Sequence, residues 1–332
     1  MSNETVVKTE SLTKRYGDFT ALDNLSFELQ SGQILGFIGP NGAGKTTAIK
    51  ILVGLIRPTS GTASISGVNC TLETRKIKRL VGYMPDTFGL YENMRVREYL
   101  DFFGAAFGIP RKERQKRMNT AMDMTGAGYM ADMFVESLSH GMKQRVAMSR
   151  IMLHDPPVLI LDEPANGLDP TARVEMREVL LKLAAAGKTL IVTSHILPEL
   201  SRICNMVAIM TGGKLRAFGS LDQIMKQVRE RRIIEIQLVR TADVSTIAER
   251  VTTMKNVSDV HSAPAEAMVR FSTTTDETGL SLLLQQLMAT GVSVAQFREV
   301  PQDLEDAFLS VTGQSEEVTN GTSATVESGA AK

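Results

Sequence analysis

The run "GPNGAGKTT", Gly39 to Thr47, restricts what this chain can fold into more than any other stretch does. It fits the pattern G-x-x-x-x-G-K-[ST] at Gly39, Gly44, Lys45 and Thr46. The short apolar stretch "QILGFIG" leads into it, and "KTTAIKILVGLI", with helical spacing, leads out. A strand that turns through glycines into a helix start gathers backbone N–H groups around a concavity, and the helix dipole adds positive potential there. Lys45 supplies a point charge, and the Thr46 hydroxyl supplies a position for Mg²⁺. Such a loop binds phosphate. It also implies a mostly parallel sheet with its ligands at the carboxyl ends of the strands.

Further strands of that sheet are legible downstream. "LVGYMP" (80–85), "PVLILD" (157–162) and "TLIVTS" (189–194) read as buried strands, with helical segments from about Arg97 to Thr125 and from about Thr171 to Ala186. "VVKTESLTKRY" and "FTALDNLSFELQSG" alternate as antiparallel strands do, and "MVAIMTGGKLRAF" reads as a hairpin with glycines in its turn. The basic run "RKERQKR" (111–117) reads as one solvated helix face. After a connecting helix, "LDQIMKQVRERR" (221–232), the pattern restarts. Strand "IIEIQLV", helix "VSTIAERV", strands near 257–272, helix "GLSLLLQQLMA", strand "VSVAQF" and helix "DLEDAFLSV" predict a second, small α+β domain. The expected boundaries are 5–220, 221–231 and 232–312, followed by a disordered tail, 313–332, that contains no aromatic residue or leucine.

"VLILDEP" supplies a second half to the phosphate loop. Asp162, at a strand end, can hold a metal ion directly or through water, and Glu163 beside it can polarise an attacking water. The balance of 37 basic against 37 acidic residues removes the bulk electrostatic argument for a nucleic-acid binder. Two cysteines form neither a disulfide framework nor a metal cluster, which fits a reducing compartment. "MSNETVVKTE" has no basic region followed by an apolar stretch, and no apolar run is long enough to cross a bilayer. If the chain works at a membrane, another subunit must span it.

"GPNGAGKTT", "LSHGMKQR", "LDEPANGLD" and "TSH" occur in the order and contexts of the ATP-binding-cassette ATPases, which residues 5 to about 220 resemble. The resemblance implies a P-loop α/β cassette: a mostly parallel core sheet, an antiparallel β subdomain and a helical signature subdomain. It also implies that two such domains sandwich two ATP molecules, each held between one domain's phosphate loop and the other's signature helix. Residues 39–47 (Gly39, Pro40, Asn41, Gly42, Ala43, Gly44, Lys45, Thr46, Thr47) would bind ATP, and Ser139 and the Gly141 backbone would meet the γ-phosphate held by a second copy or a paralogue. Tyr16 would stack on adenine, and Asp169 would link the two sites across the dimer. His195 would contact the γ-phosphate and, with Lys45 and Glu163, complete the catalytic set; Thr46, Asp162 and Asp86 would take Mg²⁺.

Two segments depart from the family pattern. Asp86 stands where the family usually has a glutamine. In the signature, His140 replaces the first glycine and Met142 the glutamine. Residues 86–110 correspond to the region that receives a coupling helix from a permease, and Phe88, Tyr91 and Phe102 would suit such a groove as exposed aromatics. "VPQDLEDAFLSVTG" is similar to the ending of daunorubicin-exporter-like ATPases. The expected function is therefore ATP hydrolysis that powers a separate integral-membrane permease, most simply an exporter, from the cytoplasmic face and without nucleic acid. A soluble cassette ATPase of translation or DNA repair is the runner-up, and an ATP-dependent regulatory interaction protein is a third reading.

Overall fold

A computed structural model describes residues 4–91, 93–194, 196–229, 232–289, 291–300, 304 and 306–308. It divides into two compact units, Met1–Leu221 and Asp222–Lys332.

The first unit opens with two long strands, β1 (Thr5–Tyr16) and β2 (Phe19–Gln30), then β3 (Ile34–Ile38) and the helix α1 (Lys45–Leu52). β4 (Ser60–Ile65), β5 (Val68–Asn69), α2 (Thr74–Leu80) and β6 (Val81–Met84) follow. Three helices come next: α3 (Val96–Ala106), α4 (Arg111–Thr125) and α5 (His140–Met152). The unit then alternates β7 (Val158–Asp162), α6 (Pro170–Ala185), β8 (Thr189–Thr193), α7 (Leu197–Leu200), β9 (Met206–Thr211) and β10 (Lys214–Ser220).

Six strands form one sheet in the order β10-β9-β3-β8-β7-β6. The last five run parallel and β10 returns antiparallel to β9. β3, β7 and β8 are buried at every position, as strands covered on both faces must be, and they read as unbroken apolar runs for that reason. A second, antiparallel sheet has the order β2-β1-β4-β5. The two sheets share a core in which Phe27 of β2 meets the Phe37 ring edge-on at 5.5 Å and lies 5.8 Å from Phe218. Each such side chain taken out of water contributes about 1.5–3 kcal/mol.

The helical region is tied together by buried polar contacts as well as packing. Thr125 Oγ1 lies 2.6 Å from Ser149 Oγ, and Arg150 donates to the Tyr99 hydroxyl at 2.9 Å while its guanidinium sits over the Phe103 ring. The basic run 111–117 does form the start of α4, but Arg114 is not part of a solvated face: its side chain is 15% exposed and paired with Asp101 of α3.

The helix after the phosphate loop stops at Leu52, short of the expected Ile56, because the backbone turns left-handed at Gly54. The expected connecting helix, now α8 (Leu221–Arg229), also ends early. Arg232 already belongs to a strand and gives its guanidinium to Glu299 across the sheet.

The second unit contains β11 (Arg232–Leu238), α9 (Val244–Thr252), β12 (Val257–Ala263), β13 (Met268–Thr273), α10 (Glu277–Met288) and β14 (Val294–Val300). This is a β-α-β-β-α-β run with strand order β12-β13-β11-β14. Ile234, Ile236, Val269 and Phe271 of the sheet pack with Val244, Ile247 and Val251 of α9 and Leu280, Leu283 and Leu287 of α10. The expected terminal helix is described only at 304 and 306–308, which are helical; the expected tail, 313–332, lies outside the described residues.

Candidate functional site

In the order β10-β9-β3-β8-β7-β6, β3 connects toward the β6 edge while its neighbours β8 and β9 connect toward the β10 edge, so the carboxyl end of β3 lies where a crevice opens. Residues 39–44 leave that end and enter α1. Gly44 caps the helix at φ +101°, a conformation costly for a side chain, and a Cβ there would lie 2.6 Å from the Ala21 carbonyl oxygen and 2.8 Å from Leu22 Cδ2. The β9–β10 turn pins the loop from outside: the Gly213 N–H donates to Ala43 O, and the Asp23 N–H donates to Gly213 O. Among the described residues, the N–H groups of Gly42, Gly44, Lys45 and Thr46 have no acceptor. The first N–H groups of a helix have no acceptor within it, and a row of such donors that extends back around a left-handed turn is a nest for an anion.

Lys45 folds back over the loop. Its Nζ donates to Gly39 O at 2.5 Å and to Pro40 O at 3.1 Å, and burial holds its pKa below the usual lysine range while the Glu163 and Asp162 carboxylates pull the other way. The lysine and the two acids therefore share one field.

Those acids come from the end of β7. Asp162 is paired in register with Thr193, the last residue of β8. The Thr193 hydroxyl donates to Asp162 Oδ1 at 2.7 Å and accepts from the Glu163 N–H at 2.9 Å. One fully buried threonine thus fixes both carboxylate-bearing residues, and Glu163 is held in a left-handed backbone turn, φ 53°. Burial, reinforced by Asp162 and Asp86, pushes the Tyr83 phenol up to about 12, so both aspartates lie in the field of the ring on β6. His195 lies outside the described residues.

Thr193→Val keeps the shape but strands the Glu163 amide and one Asp162 oxygen, at a cost of roughly 1–3 kcal/mol for each unsatisfied buried group. A thermal midpoint several degrees lower is expected, with Thr193→Ser recovering most of it; calorimetry of the pair checks this.

The signature stretch forms the start of α5. Ser139 is its N-cap, accepting from the Met142 N–H at 3.3 Å, while the amides of His140 and Gly141 have no acceptor among the described residues. A Cβ on Gly141 would come 3.0 Å from Ala172 Cβ, so this glycine also lets α5 approach the start of α6. Asp169 caps α6, accepting from the Ala172 N–H at 2.9 Å. The His140 ring reaches the Asn166 carbonyl oxygen at 3.0 Å, and the Asn166 side-chain amide donates to Asp86 at 3.1 Å. These residues line a cleft of about 370 Å³ with Phe88, Lys143 and Gly167. No hydrogen bond or ion pair joins Ser139 or Gly141 to residues 39–47 among the described residues.

Tyr16, half exposed at the end of β1, has the Lys14 ammonium 4.9 Å from its ring centre. Of the aromatics expected to be exposed, Tyr91 and Phe102 are, at 52% and 46%, and they touch edge-on; Phe88 is half-buried, which corrects the expectation for that ring. Cys70 and Cys204 are free and buried, and burial pushes the Cys70 thiol up to about 12. Among the described residues no group of three or more His, Cys, Asp or Glu could hold a metal ion. A Mg²⁺ here would take most of its ligands from substrate phosphates and water, as is usual for that ion. Sequence reasoning missed Thr193 and Asn166, whose partners lie far along the chain.

A phosphate nest at the carboxyl end of a parallel sheet, with a lysine and two acids around it, defines a P-loop nucleotide-binding protein. Residues 22–166 match the family model described as ABC transporter. The chain is 32% identical to the Nod factor export ATP-binding protein I of Ralstonia nicotianae, covering 93% of this chain and 94% of that protein. It is 34% identical to the bacitracin transport ATP-binding protein BcrA of Bacillus licheniformis (93% and 98%) and 30% identical to the linearmycin resistance ATP-binding protein LnrL of Bacillus subtilis (93% and 99%). Among solved structures, an ATP binding subunit of an ABC transporter superposes with TM-score 0.61 at 32% identity, over 67% of this chain and 93% of that one. The chain belongs to the ABC transporter family, as one of its ATP-binding proteins. It is an ATPase of the kind coupled to transport, a class that dimerises and works with membrane permeases. No helix among the described residues is long and apolar enough to cross a membrane.

Proposed function

We propose that this chain hydrolyses ATP for an exporter, as one of two ATP-binding protomers docked on a separate permease at the cytoplasmic face of the membrane. Residues 5–220 are the ATP-binding domain, 221–231 the connection and 232–312 an accessory domain. The amides of residues 39–47 and Lys45 hold the phosphates, and Tyr16 stacks on the adenine. Mg²⁺, when bound, would screen the charge on the β- and γ-phosphates, and Thr46, Asp162 and Asp86 would hold it. Glu163 orients and deprotonates the attacking water, with His195 beside the γ-phosphate. Ser139, Gly141 and Asp169 act on the nucleotide of the other protomer. Export follows the printed name of a relative matched over nearly its whole length, a Nod factor export ATP-binding protein.

The observation that carries the two-protomer reading is the start of α5. It offers a serine hydroxyl and idle amides to an anion, yet among the described residues neither Ser139 nor Gly141 makes a hydrogen bond to residues 39–47 of its own chain. Mixing two crippled variants tests it. Lys45→Ala breaks a protomer's own loop, and Ser139→Arg breaks what it offers its partner. Each alone should be nearly inactive. A mixed dimer keeps one intact loop facing one intact signature, so an equimolar mixture should regain roughly a quarter of wild-type ATP turnover if pairing is random and the sites act independently. A mixture no better than the sum of its parts would overturn the shared site.

A further inference from the structure

Asp86 and His140, two of the three positions where the chain departs from its family's pattern, meet on a single residue. The side-chain amide of Asn166 donates to Asp86 Oδ1 at 3.1 Å. The backbone carbonyl oxygen of Asn166 lies 3.0 Å from His140 Nε2, and its backbone N–H donates to the carbonyl oxygen of Glu163 at 3.0 Å, so the same residue that reaches Asp86 by its side chain reaches the other two segments by its main chain. Three segments with separate tasks are therefore joined through one asparagine: the loop after β6 that begins at Asp86, the first turn of α5, and the turn that carries Glu163.

The geometry is chemically consistent. A histidine is long enough to span from the helix start to the loop after β7, where a glycine has nothing to offer. An aspartate is acceptor-only when ionised, so it matches the amide's N–H group without the orientational ambiguity a glutamine would bring. The chain's backbone is fixed on either side of Asn166 by the Thr193 clamp at Glu163 and by the Asp169 cap on α6, so Asn166 has little room to adjust independently.

We propose that Asn166 is a positioning residue that locks the Asp86 loop, the signature helix start and the Glu163 turn into one register, so that displacement of the Asp86 loop moves the other two with it. The role deepens the ATPase reading and rests on it for its effect on turnover, but the register itself exists without nucleotide and is measured without it.

Two measurements test the proposal on the full chain. In the first, Asn166→Asp places a second carboxylate against Asp86 and should lower the maximal ATP turnover several-fold, with the Michaelis constant changed less than about two-fold because the phosphate loop is untouched. Combining it with Asp86→Asn restores a donor–acceptor pair with the roles exchanged, so Asn166→Asp should cost less than about two-fold in that background. An equal loss in both backgrounds, or no loss in the first, would overturn the coupling of the register to catalysis, and a residue that merely fills space would show the former. In the second, hydrogen exchange of the nucleotide-free protein should rise together in segments 86–91 and 139–145 in Asn166→Ala, with 39–52 unchanged. Unaltered exchange in either of the first two segments would refute the register. If exchange responds and turnover does not, the register stands and the coupling to catalysis falls. Loss of ATP hydrolysis in the wild type itself would instead indict the ATPase reading.

Discussion

Glu163→Gln should still bind ATP, should accumulate as an ATP-dependent dimer, and should turn over at least about 10²-fold more slowly, the lower end of what a positioned general base contributes. Glutamine keeps the size and the backbone turn but cannot take a proton. The Glu163 N–H bond to Thr193, the Asp162 bond to the same hydroxyl and the phosphate nest involve no Glu163 side-chain atom, so binding should survive. In the proposed cycle ATP joins the protomers and hydrolysis separates them, so arresting chemistry while sparing binding should leave the joined state populated. Size-exclusion chromatography with ATP, alongside a phosphate-release assay, reads both halves of the expectation. Ser139→Arg added to Glu163→Gln should abolish the dimer. A Glu163→Gln protein hydrolysing ATP at near wild-type speed would remove Glu163 from the mechanism.

Lys45→Ala should lose ATP affinity by about 10- to 100-fold, the equivalent of about 1.5–3 kcal/mol for a hydrogen bond to a charged group. In the structure the ammonium is turned inward onto the Gly39 and Pro40 carbonyls, under a burial that already disfavours its charge. A phosphate in the nest offers that charge a full counter-ion in place of two dipoles. Removal of the side chain leaves the amides and the helix dipole, which is why binding should weaken rather than vanish. Titration calorimetry gives the result directly, and an unchanged dissociation constant would contradict the assignment of this loop.

What the sequence makes legible here is local. The phosphate loop, the strand that ends in Asp162 and the cap at Ser139 each lie within a few residues of the pattern that announces them, and the structure places them on the elements their patterns imply. The helix ends at Leu52 and Arg229 were less legible. At the first, Gly54 turns the chain left-handed although the apolar spacing continues to Ile56. At the second, Arg232 has good helix propensity but is drawn into a strand by Glu299 across the sheet. Thr193 and Asn166 were not legible at all. A threonine closing an apolar strand looks like one more buried β-branched residue until its neighbour strand, 31 residues away, is in register with it. Asn166 sits among turn residues, and nothing local reveals that Asp86, 80 residues earlier, lies within reach of its amide.

The left-handed turn at Glu163 also bears on how the protein tolerates mutation. A side chain there carries a conformational penalty of about 1–2 kcal/mol that glycine would not. Laboratory selection for heat resistance alone should therefore tend to discard this residue, and durability without work is what such a selection would deliver. Its retention trades a little robustness for chemistry, and any consensus-style stabilisation of the chain needs to leave that one position alone.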